Sequence, residues 1–292
     1  MSSRKLGPIS LIVKIVFVEP PHLPLLISIA YWFMQVVKYK SIKLQQIRNN
    51  KKASQMALKD LFFLLMVSFS LGVDATVFTL QNRCRNTIWP GILTASGKPQ
   101  LMDGGVQLRS GQAVNITAPK AWSGRFWGRR GCSFDSSGSG LCVTGDCGGK
   151  LKCDGAGGVP PASLAEFTLD SPEGDFYDVS LVDGYNMPVS IFPSGGSGQC
   201  KAVTCRSDLN RNCPSGLELR RNGKIVGCKS ACMAFNKPQY CCTGDFNSPN
   251  KCQPTNYSKV FKASCPQAYS YAFDDSTSTF TCQGADYLIR FC

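Results

Sequence analysis

Cysteine dominates the reactive side chains of this chain. The sequence has 292 residues and 16 cysteines, all of which lie between Cys84 and Cys292. The single histidine, His22, precedes them. An even, dense set of cysteines predicts disulfides and an oxidising compartment. Zinc is the alternative, but this region has no histidine and no paired C-x-x-C knuckles, so we expect neither a metal nor another cofactor.

Carboxylates are therefore the side chains left for acid–base catalysis. The lack of any histidine after His22 excludes Ser–His and Cys–His mechanisms from the cysteine-rich part. Glycoside hydrolysis needs only two carboxyl groups, one protonated and one ionised. In Leu164–Leu169 and Phe176–Val182, apolar residues alternate with Glu166 and Asp178, respectively. Since side chains alternate across a strand, we expect both carboxylates to face away from the core on one sheet.

Short strands must position these carboxylates. Partial apolar alternation also marks Phe78–Gln81, Thr87–Trp89 and Gln112–Ile116, and glycines and prolines punctuate the chain throughout. No long stretch shows helical periodicity. The pattern predicts a mainly β fold with an antiparallel β-sandwich core. Two cysteine-rich segments, 129–157 and 200–265, are expected to be inserted regions that disulfides hold together.

The first 75 residues are expected to lie outside this fold. Met56–Ala75 has a lysine near its start, an apolar stretch at Leu61–Leu71 and small residues near its end, as a secretory signal peptide does. The mature protein would then begin near Thr76 and form one domain over residues 76–292. Residues 1–55 are either a signal-anchor with a basic flank or an upstream extension outside the mature protein. We favour the extension, because a complete signal normally stands at a true N-terminus.

Charge does not indicate a nucleic-acid partner. The formal net charge is +13, and about half of it falls in the first 75 residues. Later basic residues form short groups, such as Arg129–Arg130 and Arg220–Arg221, without a helical stripe. No nucleic-acid-binding signature accompanies them. These groups are typical of a solvated surface, and attraction to anionic cell surfaces is the alternative.

The segment Gly138–Cys153 identifies a family. It reads GSGLCVTGDCGGKLKC, and its Gly, Cys, Thr and Asp spacing resembles the signature of thaumatin-like proteins of the plant pathogenesis-related family 5 type. Further blocks that resemble the family are Ser123–Arg129, Pro160–Phe167 and Asp175–Asn186. The resemblance covers essentially all of Thr76–Cys292. It implies a central sandwich, a large disulfide region, a small stapled loop and eight disulfides.

The resemblance also implies how the cysteines pair, which spacing alone does not give. By cysteine order, the implied disulfides are Cys84–Cys292, Cys132–Cys142, Cys147–Cys153, Cys200–Cys282, Cys205–Cys265, Cys213–Cys228, Cys232–Cys241 and Cys242–Cys252. This scheme leaves no cysteine unpaired.

A cleft between the sandwich and the large disulfide region is the site that the resemblance implies. Family members directed at glucan carry one Arg, one Glu and three Asp around it, and these match Arg125, Glu166, Asp178, Asp183 and Asp274. Asp275 is adjacent to the last of these and is the alternative to it. The carboxylates at 166 and 178 are the predicted catalytic pair. The other three residues and Tyr185 are predicted to bind the ligand.

The implied function is that of a secreted, monomeric defence protein of the apoplast, without a stable membrane anchor in its mature form. Its partner would be β-1,3-glucan or another fungal cell-wall polysaccharide, bound with or without weak endo-β-1,3-glucanase activity. The alternatives are a non-enzymatic interaction protein, such as a glycosidase inhibitor or receptor ligand, and a structural wall protein. Asn115 and Asn256 begin N-glycosylation sequons.

Overall fold

The computed structural model describes residues 29–38, 40 and 75–292. The chain divides into two compact units, Met1–Gly72 and Val73–Cys292. In the first unit, residues 29–38 form a helix. Within the described residues, no helix is both long and apolar enough to span a membrane. The predicted signal peptide, apart from Ala75, and most of the upstream extension lie outside the described residues.

Strands are the main regular structure of the second unit. They are β1 (Thr76–Asn82), β2 (Trp89–Thr94), β3 (Ala113–Ala118), β4 (Ser123–Arg129), β5 (Ser133–Phe134), β6 (Gly140–Leu141), β7 (Leu164–Ser171), β8 (Gly174–Ser180), β9 (Val189–Ser197), β10 (Val203–Cys205), β11 (Glu218–Arg221), β12 (Lys224–Cys228) and β13 (Phe280–Phe291). The predicted strands at residues 78, 112, 164 and 176 are all present. The prediction at Thr87–Trp89 starts too early, because β2 begins only at Trp89.

Helices in this unit are short. They are Ala231–Phe235, Pro238–Cys241, Asn256–Ser264 and Asp275–Ser278, with 3-10 turns at Met102–Gly104, Leu209–Asn212 and Gly244–Phe246. The helix Asn256–Ser264 could not be predicted, because its nine residues are too few to show a clear helical period. Its start is fixed by a capping box, in which Thr255 and Ser258 each bond the other's backbone N–H.

Nine strands form one curled sheet. Its main order is β10-β9-β13-β8-β7-β4-β2, while β1 pairs with β13 and β3. Strand β13 pairs with β8 through Phe280–Cys282 and then with β9 and β1 through its later residues. This change of partners bends the sheet around a core, as the predicted sandwich requires. The β1–β13 pair is parallel, so the sheet is not antiparallel throughout.

Aromatic residues fill the core between the layers of the sheet. The Phe78 ring centroid lies 4.7 Å from that of Phe167 and 4.9 Å from that of Phe126. Trp122 and Tyr287 join the same cluster, and all five side chains are buried. Burial of such rings gives the largest apolar contribution to folding. Because one face of β7 and β8 packs on these rings, side chains on the other face of the two strands point toward solvent.

All eight disulfides implied by the resemblance are present, and the described part of the chain has no free cysteine. Cys205–Cys265 spans 60 residues and closes the large disulfide region. Cys84–Cys292 joins the end of β1 to the end of β13. These links replace hydrophobic burial in segments that have little core of their own.

The signature segment serves to build the small stapled loop. Arg129 is fully buried and donates to the carbonyls of Trp89, Lys150 and Leu151 at 2.7–2.8 Å. The Asp146 carboxylate accepts from the backbone N–H groups of Cys142 and Gly149. These contacts hold the loop against the end of β4. Asp146 of the signature therefore stabilises the small stapled loop, and neither it nor Arg129 lines the cleft.

Candidate functional site

Three neighbouring strands bring the central side chains of the site into one row. Arg125 on β4 lies opposite Glu166 on β7, and Glu166 lies opposite Asp178 on β8. Side chains of directly opposed residues have Cβ atoms about 4.5–5.5 Å apart. The alternation of β7 and β8 puts Ala165, Phe167 and their partners on the core side. The two carboxylates therefore face away from the core, as predicted.

A cleft surrounds this row. One cavity of about 280 Å³ is lined by Arg125, Leu164, Glu166, Asp178, Ser180, Val182, Asp183, Tyr269 and Ala272. A second cavity of about 360 Å³ continues along the sheet toward Leu93 and Phe176 and shares Arg125, Glu166 and Asp178. We call these two cavities the acidic cleft. The two cavities meet at Arg125, Glu166 and Asp178, so this row stands in the middle of the cleft.

Arg125 neutralises only part of the negative charge. Its Nη1 atom lies 3.8 Å from Glu166 Oε1 and 3.9 Å from Asp183 Oδ2. All three side chains are 36–41% exposed, so each ion pair contributes little to stability. The arginine instead sets which carboxylate carries the charge, because it stands beside Glu166 and Asp183, and neither of its ion pairs involves Asp178.

The two paired carboxyl groups stand in different electrostatic environments. Burial raises the pKa of Asp178 to about 8, and the nearby carboxylates of Glu166 and Asp275 act in the same direction. Burial also raises the pKa of Glu166, while the Arg125 guanidinium acts in the opposite direction. All the causes that shift Asp178 therefore favour its protonated form, whereas Glu166 has an arginine beside it that favours its ionised form.

Asp178 also has an unused hydrogen-bonding atom. Among the described residues, its Oδ1 atom is buried and finds no hydrogen-bond partner. Leaving a buried polar atom unpaired typically costs about 1–3 kcal/mol. Asp178 as a whole is half-buried and lines the cleft, so its carboxyl group, when protonated, can donate to a ligand oxygen.

Asp274 does not reach the row of carboxylates. It is buried, and its Oδ2 atom lies 3.0 Å from Lys262 Nζ and accepts from the backbone and hydroxyl of Ser270. Asp275 is exposed, accepts from the Tyr269 hydroxyl at 2.9 Å and raises the pKa of Asp178. The structure thus places the alternative residue, Asp275, beside the catalytic candidates.

The predicted binding role of Tyr185 is wrong. Its side chain is 0% exposed, packs in the core and donates its hydroxyl to the Ser207 carbonyl at 2.9 Å. A sugar has no access to it. Sequence reasoning missed Tyr269, whose backbone N–H donates to Val179 and whose side chain lines the cleft. The alternating pair Tyr269 and Tyr271 just before two aspartates was the signal available.

The remaining candidate sites lie elsewhere on the surface. Asn115 on β3 and Asn256 at a helix start are both exposed, as a glycosylated asparagine must be. Among the described residues, no group of three or more His, Cys, Asp or Glu side chains is placed to hold a metal ion.

Known proteins agree with this fold. The Thaumatin family model matches residues 82–292. The chain is 59% identical over 229 residues to pathogenesis-related thaumatin-like protein 3.5 of Cryptomeria japonica, covering 78% of this chain and 95% of that protein. It is 57% identical over 233 residues to pathogenesis-related protein 5 of Arabidopsis thaliana, covering 80% and 96%.

A distant solved structure shares the fold alone. This is the GH family 64 laminaripentaose-producing β-1,3-glucanase of Paenibacillus barengoltzii complexed with laminarihexaose, which is 14% identical with a TM-score of 0.51 and 75% of each chain covered. The family match and the plant relatives decide the assignment. The chain belongs to the thaumatin family.

Proposed function

We propose that this protein is a secreted plant defence protein that binds β-1,3-glucan in the acidic cleft and cleaves it slowly. The relatives at 57–59% identity are named as pathogenesis-related proteins. Eight disulfides fit an oxidising, extracellular setting. A neutral, linear glucan suits an open cleft on a sheet face, because its hydroxyl groups can bond both carboxylates and the guanidinium.

One observation carries the proposed cleavage. Glu166 and Asp178 are directly opposed on β7 and β8, and Arg125 favours the ionised form of Glu166 while burial and neighbouring carboxylates favour the protonated form of Asp178. Glycosidases use two carboxyl groups of this kind, a protonated acid and an ionised partner. Asp178 would protonate the leaving oxygen, and Glu166 would attack the anomeric carbon or activate water.

The distance between the two carboxyl groups decides the stereochemical outcome. Carboxyl groups in retaining enzymes are about 5–5.5 Å apart, whereas inverting enzymes need about 6.5–9.5 Å to fit a water. In a retaining reaction, Glu166 would act as the nucleophile, and Asp178 would act first as acid and then as base. In an inverting reaction, Glu166 would instead activate the attacking water.

The test separates binding from cleavage. Purified protein is incubated with insoluble β-1,3-glucan, and both the bound fraction and the release of reducing sugar are measured. We expect Glu166→Gln and Asp178→Asn to lower the hydrolysis rate by at least about 100-fold. Both variants should retain most glucan binding, because they keep the shape of the cleft.

Glu173→Gln is the matched control, since this exposed residue lies in the turn between β7 and β8. It should bind and hydrolyse like the parent. Parental rates in both cleft variants would overturn the catalytic assignment. Glucan binding without any hydrolysis by the parent would reduce the cleft to a lectin-like surface.

A further inference from the structure

A second, larger groove lies at the end of the sheet, away from the row of carboxylates. It has a volume of about 960 Å³ and is lined by residues from the ends of β1, β4 and β13 and the start of β2. These strand ends meet there because Asn82 pairs with Phe291 and Trp89 pairs with Arg129. Neither the family match nor the acidic cleft accounts for this groove.

Arginine gives the groove its charge. Arg83, Arg85, Arg130 and Arg211 line it, and Asp208 is the one acidic side chain among the described residues of the lining. We call this surface the cationic groove. The net charge of the cationic groove is opposite in sign to that of the acidic cleft. The two surfaces therefore select ligands of different charge.

Two of the four arginines are available to a ligand. Within the described part of the chain, the Arg83 and Arg85 guanidinium groups form no ion pair or hydrogen bond, and both residues are exposed. Arg211 pairs with Asp208 at 3.4 Å, and Arg130 donates to the Asn186 carbonyl at 3.0 Å. The free pair is therefore the strongest anion-binding feature of the groove.

A disulfide fixes the positions of these two arginines. Arg83 and Arg85 flank Cys84, which is bonded to Cys292 with a Cα–Cα distance of 5.0 Å. The backbone N–H of Arg83 also donates to the Phe291 carbonyl at 2.9 Å. A backbone held in this way lowers the entropy that a ligand must remove on binding.

Apolar surface lies beside the charge. Trp89 is half-buried in the groove lining, donates Nε1–H to Gln107 at 3.3 Å and contacts the Phe134 ring. Val143 and Val226 extend this surface. A held aromatic ring beside guanidinium groups suits a ligand that has both C–H faces and carboxylates, because guanidinium binds carboxylates in a two-pronged geometry.

We propose that the cationic groove binds an acidic polysaccharide, a polymer of uronic acid units. Such a polymer carries one carboxylate on each sugar ring, and successive carboxylates can pair with Arg83 and Arg85 while a ring face packs on Trp89. The groove's volume of about 960 Å³ lies at the upper end of the range for small-molecule sites, which suits several linked sugar units. The site is independent of the proposed glucan site.

The test uses polygalacturonate as the probe in isothermal titration calorimetry. We expect Arg83→Gln/Arg85→Gln to weaken binding about tenfold or more and to reduce its salt dependence. Lys237→Gln/Lys251→Gln removes the same charge from two exposed residues that do not line the groove, and we expect less than about twofold change. Far-UV circular dichroism confirms that both variants fold, and both should bind insoluble β-1,3-glucan like the parent.

Two further probes decide the chemistry. Fully methyl-esterified polygalacturonate keeps the sugar but lacks the charge, and dextran sulfate keeps negative charge but lacks carboxylates. We expect the parent to bind neither as tightly as polygalacturonate. Equal loss of affinity in the two double variants, equal binding of either probe, or no binding of polygalacturonate by the parent would overturn the proposal.

Discussion

The two sides of the acidic cleft hold aspartates in different surroundings. On the sheet, Asp178 has a buried oxygen without a partner among the described residues and a pKa raised to about 8. Tyr269 and Ala272 form the second wall, and behind it the buried Asp274 has its Oδ2 atom 3.0 Å from Lys262 Nζ. Burial alone does not make a carboxylate reactive. What distinguishes Asp178 is that it forms no ion pair with any cation in the described part of the chain.

The sheet and the large disulfide region, which supplies Lys262 behind the second wall, also differ in what holds them together. The sheet rests on a core of packed rings, such as Phe78, Phe126 and Phe167. The large disulfide region depends on long covalent closures, of which Cys205–Cys265 spans 60 residues. Changes to the sheet should therefore lower stability through lost apolar burial, and changes to the disulfide region through lost loop closure.

The largest effect is expected from opening the long closure. Cys205→Ala/Cys265→Ala should lower the free energy of unfolding by about 4 kcal/mol, because the unfolded chain regains the entropy of a 60-residue loop. Cys147→Ala/Cys153→Ala opens a loop of only 6 residues and should cost about 2 kcal/mol. Chemical denaturation measures both, and equal losses would contradict the entropic explanation.

The next effect comes from removing the cation behind the second wall. Lys262→Met leaves the Asp274 carboxylate buried without its ion-pair partner, and we expect a loss of about 3 kcal/mol. Lys259→Met, an exposed lysine on the same helix, is the control and should change stability by less than about 0.5 kcal/mol. If the two variants lose equal stability, the buried pair is not what holds this wall.

The effect of Asp178 depends on pH. Its pKa rises from 3.8, the ordinary value of an aspartate, to about 8 in the folded protein, so the folded state binds the extra proton between these values. The parent should lose stability as pH rises from about 4 to about 8. Asp178→Asn removes this loss, so its stability relative to the parent should rise over the same pH range and stay constant above it.

Thermal unfolding across this pH range measures the difference. Glu173→Gln in the exposed turn after β7 is the control, and its difference from the parent should not vary with pH. A constant difference for Asp178→Asn as well would show that Asp178 is ionised in the folded protein at neutral pH.

Much of this arrangement could be predicted because it depends on local alternation. Glu166 and Asp178 each stand between apolar neighbours, so their face of the sheet followed from the sequence. The disulfide pairs followed from the family resemblance. The burial of Tyr185 could not be predicted. The sequence places this tyrosine after a turn, but it does not show whether the ring packs into the core or lines the cleft.

The choice between Asp274 and Asp275 was also beyond the sequence. It depends on Lys262, which lies 12 positions earlier and reaches Asp274 only through the packing of a helix that the periodicity did not reveal. The cationic groove is a similar case. Its arginines come from distant parts of the chain and meet only because β1, β4 and β13 end at the same side of the sheet.

Direct titration of the Asp178 carboxyl group tests the central claim. Carbon-13 NMR of labelled protein follows the side-chain carboxyl signals with pH, and the Asp178→Asn variant identifies the signal that belongs to this residue. We expect a midpoint near pH 8, with a smaller step when Glu166 titrates because the two groups interact. A midpoint below about pH 5 would contradict the account, because Asp178 would then be ionised at neutral pH and could not act as the acid.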